Sequence, residues 1–140
     1  MSTPETLQGP TVSTALRVRY AETDKMGVVY YANYFVWFEV GRTEWLRALG
    51  WTYKDMELEQ GVGLPVIDAR CEYHEPARYD DEIVIRTRAE LVSGVRIAFH
   101  YAVVRAADEA PIATGRTVHA AVDRHGRPCR LPARVRTLVG

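Results

Sequence analysis

One segment of this sequence has the period of a helix, and nearly all the rest has the two-residue period of a strand. From about Asn33 to Leu49 apolar residues recur at helical steps, and Gly50 follows as a stop. The first half of this segment, Tyr34–Phe38, is apolar on almost every side, which indicates a helix enclosed by other structure. We therefore expect one long buried helix against which the strands must pack.

One strand-like segment precedes this helix and four follow it. Apolar and basic residues alternate from residue 14 to Tyr20. Four more alternating segments run near Ile67–Tyr73, Ile83–Leu91, Val95–Val103 and Ile112–Val122. Short connections between successive strands predict an antiparallel meander. The predicted fold class is therefore α+β, a curved five-stranded antiparallel sheet wrapped around one long central helix.

A chain of 140 residues accommodates one domain. Residues 1–13 are rich in Ser, Thr, Pro and Gly and are predicted to be a flexible N-terminal segment, with residues 14–140 as the folded domain. Tyr53–Gln60 is predicted to be a short second helix, and Pro132–Val139 a last helical turn. Because long apolar strands at a sheet edge usually find a partner, we expect at least a dimer formed by edge pairing.

Charge and hydropathy exclude several classes of protein. Lys plus Arg and Asp plus Glu number 18 each, so no overall field would hold nucleic acid or an anionic membrane. No apolar stretch approaches the roughly 20 residues of a membrane span, and the first ten residues lack the apolar block of a signal peptide. Cys71 and Cys129 have neither metal-binding nor disulfide spacing. We expect a cytoplasmic protein that binds neither nucleic acid nor membrane.

The stretch from Tyr20 to Tyr34 places an acidic residue, Asp24, in a loop that leads into the buried helix. Hydrolysis of a thioester needs a carboxylate that attacks or activates water, and a donor for the oxyanion that develops. A helix N-terminus supplies free N–H groups and the positive end of a dipole. Gly27 lets the backbone of the loop approach a ligand closely. This pattern favours a hydrolase site between Asp24 and the start of the helix.

The run VRYAETDKMGVVYYANYFVWFEVGRTEWL, from Val18 to Leu46, resembles the signature of the 4-hydroxybenzoyl-CoA thioesterase family and its YbgC-like relatives. The segment Pro76–Asp81 matches it as well, and the similarity extends from residue 14 to about residue 125. The resemblance implies a hotdog fold and hydrolysis of an acyl-CoA without a metal or bound cofactor. It also implies active sites at the interface of a homodimer, often within a homotetramer.

The same resemblance assigns roles to individual residues. Asp24 takes the position of the family's catalytic carboxylate, as nucleophile or general base, and Tyr31 that of the residue whose backbone N–H binds the oxyanion. YbgC-like relatives tend to carry histidine where this chain has Tyr31, which removes one candidate acid or base. The residues expected to contact the substrate are Gly27, Val29, Tyr30 and, at the CoA phosphates, Arg96.

Structural interpretations stay open beside these roles. Asp24 could instead cap a turn or the following helix. Glu22 is expected to be a solvated loop acid, and Glu39, on the helix, is a reserve catalytic candidate. Glu39 and Arg42 are three residues apart and are expected to form an exposed or interface ion pair. The four histidines, His74, His100, His119 and His125, are expected to be structural or surface residues. Trp37, Trp45 and Trp51 are expected to fill the core or an interface.

The primary hypothesis is an acyl-CoA thioesterase that releases a free acid and CoA. One alternative keeps the chemistry but takes the acyl group from acyl carrier protein. Another is a non-catalytic hotdog module that binds acyl-CoA or a partner protein. The sequence leaves open the length and aromatic character of the acyl group, the tetramer arrangement and the choice between nucleophile and general base for Asp24.

Overall fold

The computed structural model describes residues 8–139, which form a five-stranded antiparallel sheet with one long helix packed on one face. The strands are β1 (Gln8–Arg17), β2 (Val66–Tyr73), β3 (Glu82–Leu91), β4 (Arg96–Arg105) and β5 (Pro111–Ala120). The helices are α1 (Asn33–Ala48), α2 (Tyr53–Gln60) and α3 (Ala133–Val139). A 3-10 turn, Tyr20–Glu22, follows β1. The predicted α+β architecture is confirmed.

The strands lie in the order β1-β3-β4-β5-β2, which differs from the predicted meander. β3, β4 and β5 form consecutive antiparallel pairs as expected, but β2 pairs with β5, and β1 takes the place beside β3. Residues 74–81 therefore cross from one side of the sheet to the other. A hydrogen bond from Val29 N to Ala77 O (2.8 Å) attaches this crossover to the segment that precedes α1. The prediction was wrong because a connection of this length can close a hairpin or cross the end of a sheet.

β1 begins at Gln8, so the domain boundary predicted at residue 14 is wrong. Val12, for example, is paired with Thr87 on β3. Trp45 of α1 donates a hydrogen bond from Nε1 to Pro10 O at 3.0 Å, which ties the early part of the strand to the helix. Composition could not reveal this contact, because the tryptophan lies 35 residues further along the chain. The part of the predicted flexible segment in residues 1–7 lies outside the described residues.

Two glycines let α1 lie close against the sheet. A Cβ atom on Gly41 would lie 2.5 Å from Thr87 Oγ1 on β3, closer than atoms in proteins approach. On β5, the ring of Phe38 fills the space that a side chain at Gly115 would need. The same ring stacks on Tyr101 of β4, with centroids 4.4 Å apart. The tryptophans predicted to be core residues are all buried: Trp37, Trp45 and Trp51.

α2 spans the residues predicted for it because both of its ends carry a local signal. The side chain of Thr52 accepts a hydrogen bond from Asp55 N at 3.1 Å, and Gly61 ends the helix with a φ of 65°. α3 confirms the predicted last helical turn and buries Val135 and Val139. Within residues 8–139, none of the helices is long and apolar enough to cross a membrane.

Candidate active site

Asp24 lies in a short hairpin that precedes α1. A bridge between Thr23 and Val29 closes the hairpin, and Asp24 N donates a hydrogen bond to Val28 O at 2.8 Å. Gly27 follows with a φ of 80°, a left-handed conformation that glycine adopts without strain. The predicted loop is therefore an ordered turn that presents the Asp24 side chain in a defined position.

The two carboxylate oxygens of Asp24 have different surroundings. Oδ1 accepts hydrogen bonds from Met26 N at 2.8 Å and Val28 N at 3.4 Å, which is the turn-capping role that the sequence left open. Oδ2 accepts none of the hydrogen bonds formed among residues 8–139, and the residue is only half-buried. One oxygen thus orients the side chain while the other is available to a ligand.

The turn that leads into α1 leaves two backbone N–H groups without an acceptor. Tyr30 N donates to Glu22 O, and Asn33 N donates to Tyr30 O, each at 2.9 Å. The N–H groups between them, those of Tyr31 and Ala32, find no acceptor within the described part of the chain. Ala32 is the N-cap of α1, so both groups lie at the positive end of the helix dipole. They can stabilise negative charge that develops on a bound carbonyl.

A cleft of about 270 Å³ opens beside this turn. One wall consists of Val28 and Val29 from the hairpin, and a second of Tyr31 and Tyr34 at the start of α1. Residues 73–76, at the end of β2 and the beginning of the crossover, form the third. Two of the three walls are therefore the segments that carry Asp24 and the free N–H groups.

Tyr73 was not singled out in the sequence, yet it fixes the shape of this cleft. Its hydroxyl donates a hydrogen bond to Tyr31 O at 2.9 Å, and its ring packs edge-on against Tyr34 with centroids 5.1 Å apart. Tyr73 is partly exposed, but desolvation raises its pKa to about 12, so the hydroxyl keeps its proton and remains a donor. Alternation along β2 cannot identify such a partner, since it lies 42 residues away in the sequence.

Glu22 is buried, so the prediction of a solvated loop acid is wrong. Only 5% of the surface of this residue is exposed to solvent. Oε1 accepts a hydrogen bond from Arg19 N and Oε2 accepts one from the indole Nε1 of Trp37, each at 2.8 Å. The main-chain oxygen accepts from Tyr30 N and from Asn33 Nδ2, each at 2.9 Å. An acid in a loop is usually solvated, but here α1 supplies a donor that local sequence does not reveal.

The residues predicted to contact the acyl group lie around the same turn. Val29 is buried and lines the cleft. Tyr30 is 46% exposed, and its ring lies against that of Tyr31 with centroids 4.7 Å apart. Gly27 lies in the exposed part of the hairpin. The fold therefore brings the hairpin residues and Tyr31 together at one end of α1.

Arg96, predicted to meet the CoA phosphates, lies elsewhere. It is the first residue of β4, whereas the last residue, Arg105, donates a hydrogen bond to Pro76 O beside the cleft at 3.0 Å. A strand of this length spans roughly 30 Å. Within one chain, Arg96 is therefore at the opposite end of the sheet from Asp24.

A second cavity of about 370 Å³ lies near the beginning of β2, between α1, α2 and residues 63–65. Glu39, the reserve catalytic candidate, lines it together with Arg42 and Tyr53. The ion pair predicted between Glu39 and Arg42 is not among those formed within residues 8–139; on α1 the pair that forms joins Glu44 and Arg47. Burial raises the pKa of Tyr53, and the neighbouring Arg42 guanidinium opposes that rise. Arg42 therefore lies close to the Tyr53 hydroxyl in this cavity.

Behind the second cavity, a buried chain of hydrogen bonds ends at His119. The Tyr101 hydroxyl lies 2.6 Å from Thr117 Oγ1, which lies 2.9 Å from His119 Nε2, and Nδ1 lies 2.9 Å from Leu64 O. Since a carbonyl only accepts, we assign the proton to Nδ1 and the acceptor role to Nε2. Burial, aided by the charge of Arg42, lowers the pKa of His119 to about 4 although the bond to Leu64 O favours protonation. Of the four histidines expected to be structural or on the surface, His119 is therefore a buried residue of the core.

The other three histidines lie at or near the surface. His74 Nε2 is 3.1 Å from Thr114 Oγ1. The residue also lines the cleft, so it lies closer to the candidate site than the sequence indicated. His100 Nε2 is 2.8 Å from Glu90 Oε1 on the face of the sheet opposite α1. His125 lies in an exposed turn.

Comparison with known proteins gives a consistent result. The pattern of the Thioesterase-like superfamily matches residues 18–138. YneP of Bacillus subtilis (strain 168), which carries the name of an acyl-CoA thioesterase, is 42% identical over 109 residues, or 78% of this chain and 78% of YneP. The acyl-CoA thioesterase YbgC of Haemophilus influenzae is 37% identical over 93 residues, or 66% of this chain and 68% of YbgC. The structure of a DHNA-CoA thioesterase from Staphylococcus aureus has a TM-score of 0.81 and 35% identity, covering 86% of this chain and 80% of that one.

Proposed function

The chain belongs to the Thioesterase-like superfamily and has the hotdog fold of its structural relatives, and from this premise we propose that it hydrolyses an acyl-CoA to a free acid and CoA. One observation carries the proposal. The hairpin with the free Asp24 oxygen leads directly to the unpaired N–H groups of Tyr31 and Ala32, and a cleft opens beside them. A carboxylate and oxyanion donors are the two parts that thioester hydrolysis needs.

In the proposed mechanism the thioester carbonyl lies in the cleft with its oxygen at the start of α1. Negative charge gathers on this oxygen as the tetrahedral intermediate forms. The N–H groups of Tyr31 and Ala32 stabilise that charge, and the dipole of α1 adds to their effect. One donor of this kind is worth about 3 kcal/mol of barrier. The resemblance to the family assigns this role to Tyr31, and the free N–H of Ala32 makes it a second donor.

Asp24 Oδ2 supplies the attacking group in one of two ways. As a nucleophile it bonds to the carbonyl carbon, CoA leaves as a thiolate that takes a proton from solvent, and water then cleaves the mixed anhydride. As a general base it takes a proton from a water molecule, which attacks the carbonyl directly with the same products. In both cases Oδ1 keeps its hydrogen bond to Met26 N, so the carboxylate retains its orientation.

We further propose that two protomers pair through β2, alone or within a homotetramer. β2 is an edge strand, and its exposed apolar side chains are Val66, Ile67 and Tyr73. Antiparallel pairing of β2 with its copy about a two-fold axis would continue the sheet. The cleft lies at the C-terminal end of β2 and the second cavity at its N-terminal end. This pairing would place the second cavity of one protomer beside the cleft of the other.

An oligomer would also account for the residues that the sequence predicted to contact the substrate. Gly27, Val29 and Tyr30 would contact the substrate from the protomer that carries Asp24. Arg96 lies far from the cleft of its own chain, so it would meet the CoA phosphates bound by a neighbouring protomer. Cys71 and Cys129 are both free thiols, which fits the reducing cytoplasm that we propose as the compartment.

The decisive experiment measures thiol release from short, long and aromatic acyl-CoAs by the wild type and Asp24→Asn. Asparagine keeps the size of the side chain and an oxygen for the Met26 N–H but lacks the charge. The kcat should fall about 100- to 10,000-fold, with fold and oligomer unchanged. Asp55→Asn, which changes an acid on α2, should keep the wild-type rate.

Each alternative has its own result in this assay. A near-wild-type rate for Asp24→Asn across the panel contradicts the mechanism, and a comparable loss in Glu39→Gln instead would move the catalytic role to α1. Cleavage of acyl-carrier-protein thioesters without cleavage of matched acyl-CoAs selects the other carrier. Binding of acyl-CoA without cleavage at any pH identifies a non-catalytic module.

A further inference from the structure

We propose that Glu22 is a positioning residue of the thioesterase reaction, whose buried carboxylate fixes the turn that presents the N–H of Tyr31 to the substrate. This inference rests on the proposed function and adds a residue to it. Glu22 touches neither the cleft nor, in the proposed mechanism, the reacting atoms. It acts through the two segments that do.

The carboxylate of Glu22 holds the loop to α1 in a single orientation. A carboxylate can remain buried only if its oxygens receive hydrogen bonds, and each oxygen here has its own donor. Oε1 takes the N–H of Arg19, and Oε2 takes the indole N–H of Trp37, both at 2.8 Å. One donor, Arg19, lies just before the 3-10 turn and the other lies on α1, so the side chain joins the two ends of the segment between them.

The main-chain oxygen of Glu22 determines which N–H groups stay free. It accepts the N–H of Tyr30 and the side-chain amide of Asn33, both at 2.9 Å. The Tyr30 N–H is thereby used, and the next one, that of Tyr31, is the first to remain open. If the carboxylate lost its partners, this carbonyl would move, and the Tyr31 N–H would move with it.

The same residue sets the distance between the two catalytic groups. Asp24 follows Glu22 by two residues in the sequence, and Tyr31 is joined to it through Tyr30. A displacement of about 1 Å between reacting groups can lower a rate 100-fold without changing the groups themselves. Glu22 should therefore affect kcat more than substrate binding.

Two substitutions test the carboxylate. Glu22→Gln replaces one oxygen by an NH₂ group, which in either orientation opposes the N–H of Arg19 or that of Trp37. Trp37→Phe removes the indole donor and leaves Oε2 buried without a partner. In the double variant the NH₂ group can face the phenyl ring while the remaining oxygen accepts from Arg19. The double variant should therefore be more active than Glu22→Gln alone.

Trp45→Phe is the matched control. Trp45 lies on the same helix, is as buried as Trp37 and also donates an indole hydrogen bond, but to Pro10 O on β1. The Trp45→Phe variant should lose stability as Trp37→Phe does, yet keep the wild-type kcat.

Both Glu22→Gln and Trp37→Phe should lower kcat about 10- to 100-fold, with KM within about twofold of the wild type.

A second readout needs no activity. The amide ¹H and ¹⁵N resonances of Tyr31 and Ala32 should shift in Glu22→Gln and Trp37→Phe and stay in place in Trp45→Phe. Unchanged kcat in folded Glu22→Gln, equal losses in the two tryptophan variants, or unmoved Tyr31 resonances overturn the proposal. If the wild type cleaves no thioester, the proposed function fails by itself, and the amide resonances still decide whether Glu22 fixes the turn at Tyr31.

Discussion

Protonation of His119 is expected to destabilise the fold below neutral pH. Folding lowers the pKa of this imidazole from its ordinary value of 6.5 to about 4, chiefly through burial. The folded state therefore prefers the neutral ring, and the unfolded chain takes up a proton first. The contribution to stability is complete above pH 6.5, declines as the pH falls and is lost near pH 4.

The size of the effect follows from the two pKa values. One pKa unit corresponds to about 1.4 kcal/mol, so the full shift amounts to about 3 kcal/mol. About 2 kcal/mol of this should already be lost at pH 5. Such a loss is a large part of the roughly 5–15 kcal/mol by which domains are stable. The lowered pKa values of Asp108 and Asp123 act below their ordinary 3.8, so they do not contribute between pH 5 and pH 6.5.

The assay is urea unfolding at pH 7.5, 6 and 5, at one protein concentration, for the wild type and His119→Gln. The His119→Gln variant should be less stable at neutral pH, because the glutamine amide does not reproduce the positions of the two ring nitrogens next to Thr117 Oγ1 and Leu64 O. Its stability should nevertheless change less with pH, so the difference between the two proteins should shrink by about 2 kcal/mol on acidification to pH 5. Parallel pH curves for the two proteins would refute the assignment of a neutral, buried His119.

Two further substitutions test how the helices are held. Gly41→Ala should lower the free energy of unfolding in urea by about 1–3 kcal/mol, because its Cβ would lie 2.5 Å from Thr87 Oγ1. Gly63→Ala, whose Cβ would have its nearest contact at an ordinary 3.7 Å, should be nearly neutral. Equal effects of the two substitutions would contradict the close packing of α1. Thr52→Ala should lower the free energy of unfolding by about 1 kcal/mol, because it removes the acceptor for Asp55 N, whereas Thr52→Ser keeps that acceptor and should be nearly neutral. An unchanged urea midpoint for the alanine variant would exclude a capping role for Thr52.

Local signals in the sequence predicted the elements but not how they are joined. α2 was predicted with its observed bounds because Gly61, which ends the helix, acts on neighbouring backbone groups. β3, β4 and β5 were predicted as neighbours because hairpins bring adjacent segments together. The pairing of β2 with β5 depends on packing around α1, which alternation along a strand does not report. Gly41 and Gly115 mark that packing, but a glycine in a sequence does not name the side chain that needs its space.

Some residues of the candidate site were predicted from the sequence and others were not. Asp24 and Tyr31 stood out because they form part of one short motif in the chain. Glu22 and Tyr73 did not, because each acquires its role from a residue on a different element, Trp37 in one case and Tyr31 in the other. Burial of a charge is a property of the folded molecule, and one of the two donors to the Glu22 carboxylate, Trp37, is 15 residues away in the sequence.

The crossover that the sequence failed to predict is also what forms the cleft. Had β2 and β3 formed a hairpin, residues 74–81 would have turned back at once and left the hairpin of Asp24 uncovered on that side. Because the two strands lie apart in the sheet, the connection must cross its end, where Val28 bridges to Arg78 and Val29 N bonds to Ala77 O. Arg105 fixes the same connection through Pro76 O. The wall opposite Tyr31 is therefore a consequence of strand order, and a substitution that loosens the crossover should alter the cleft before it alters the sheet.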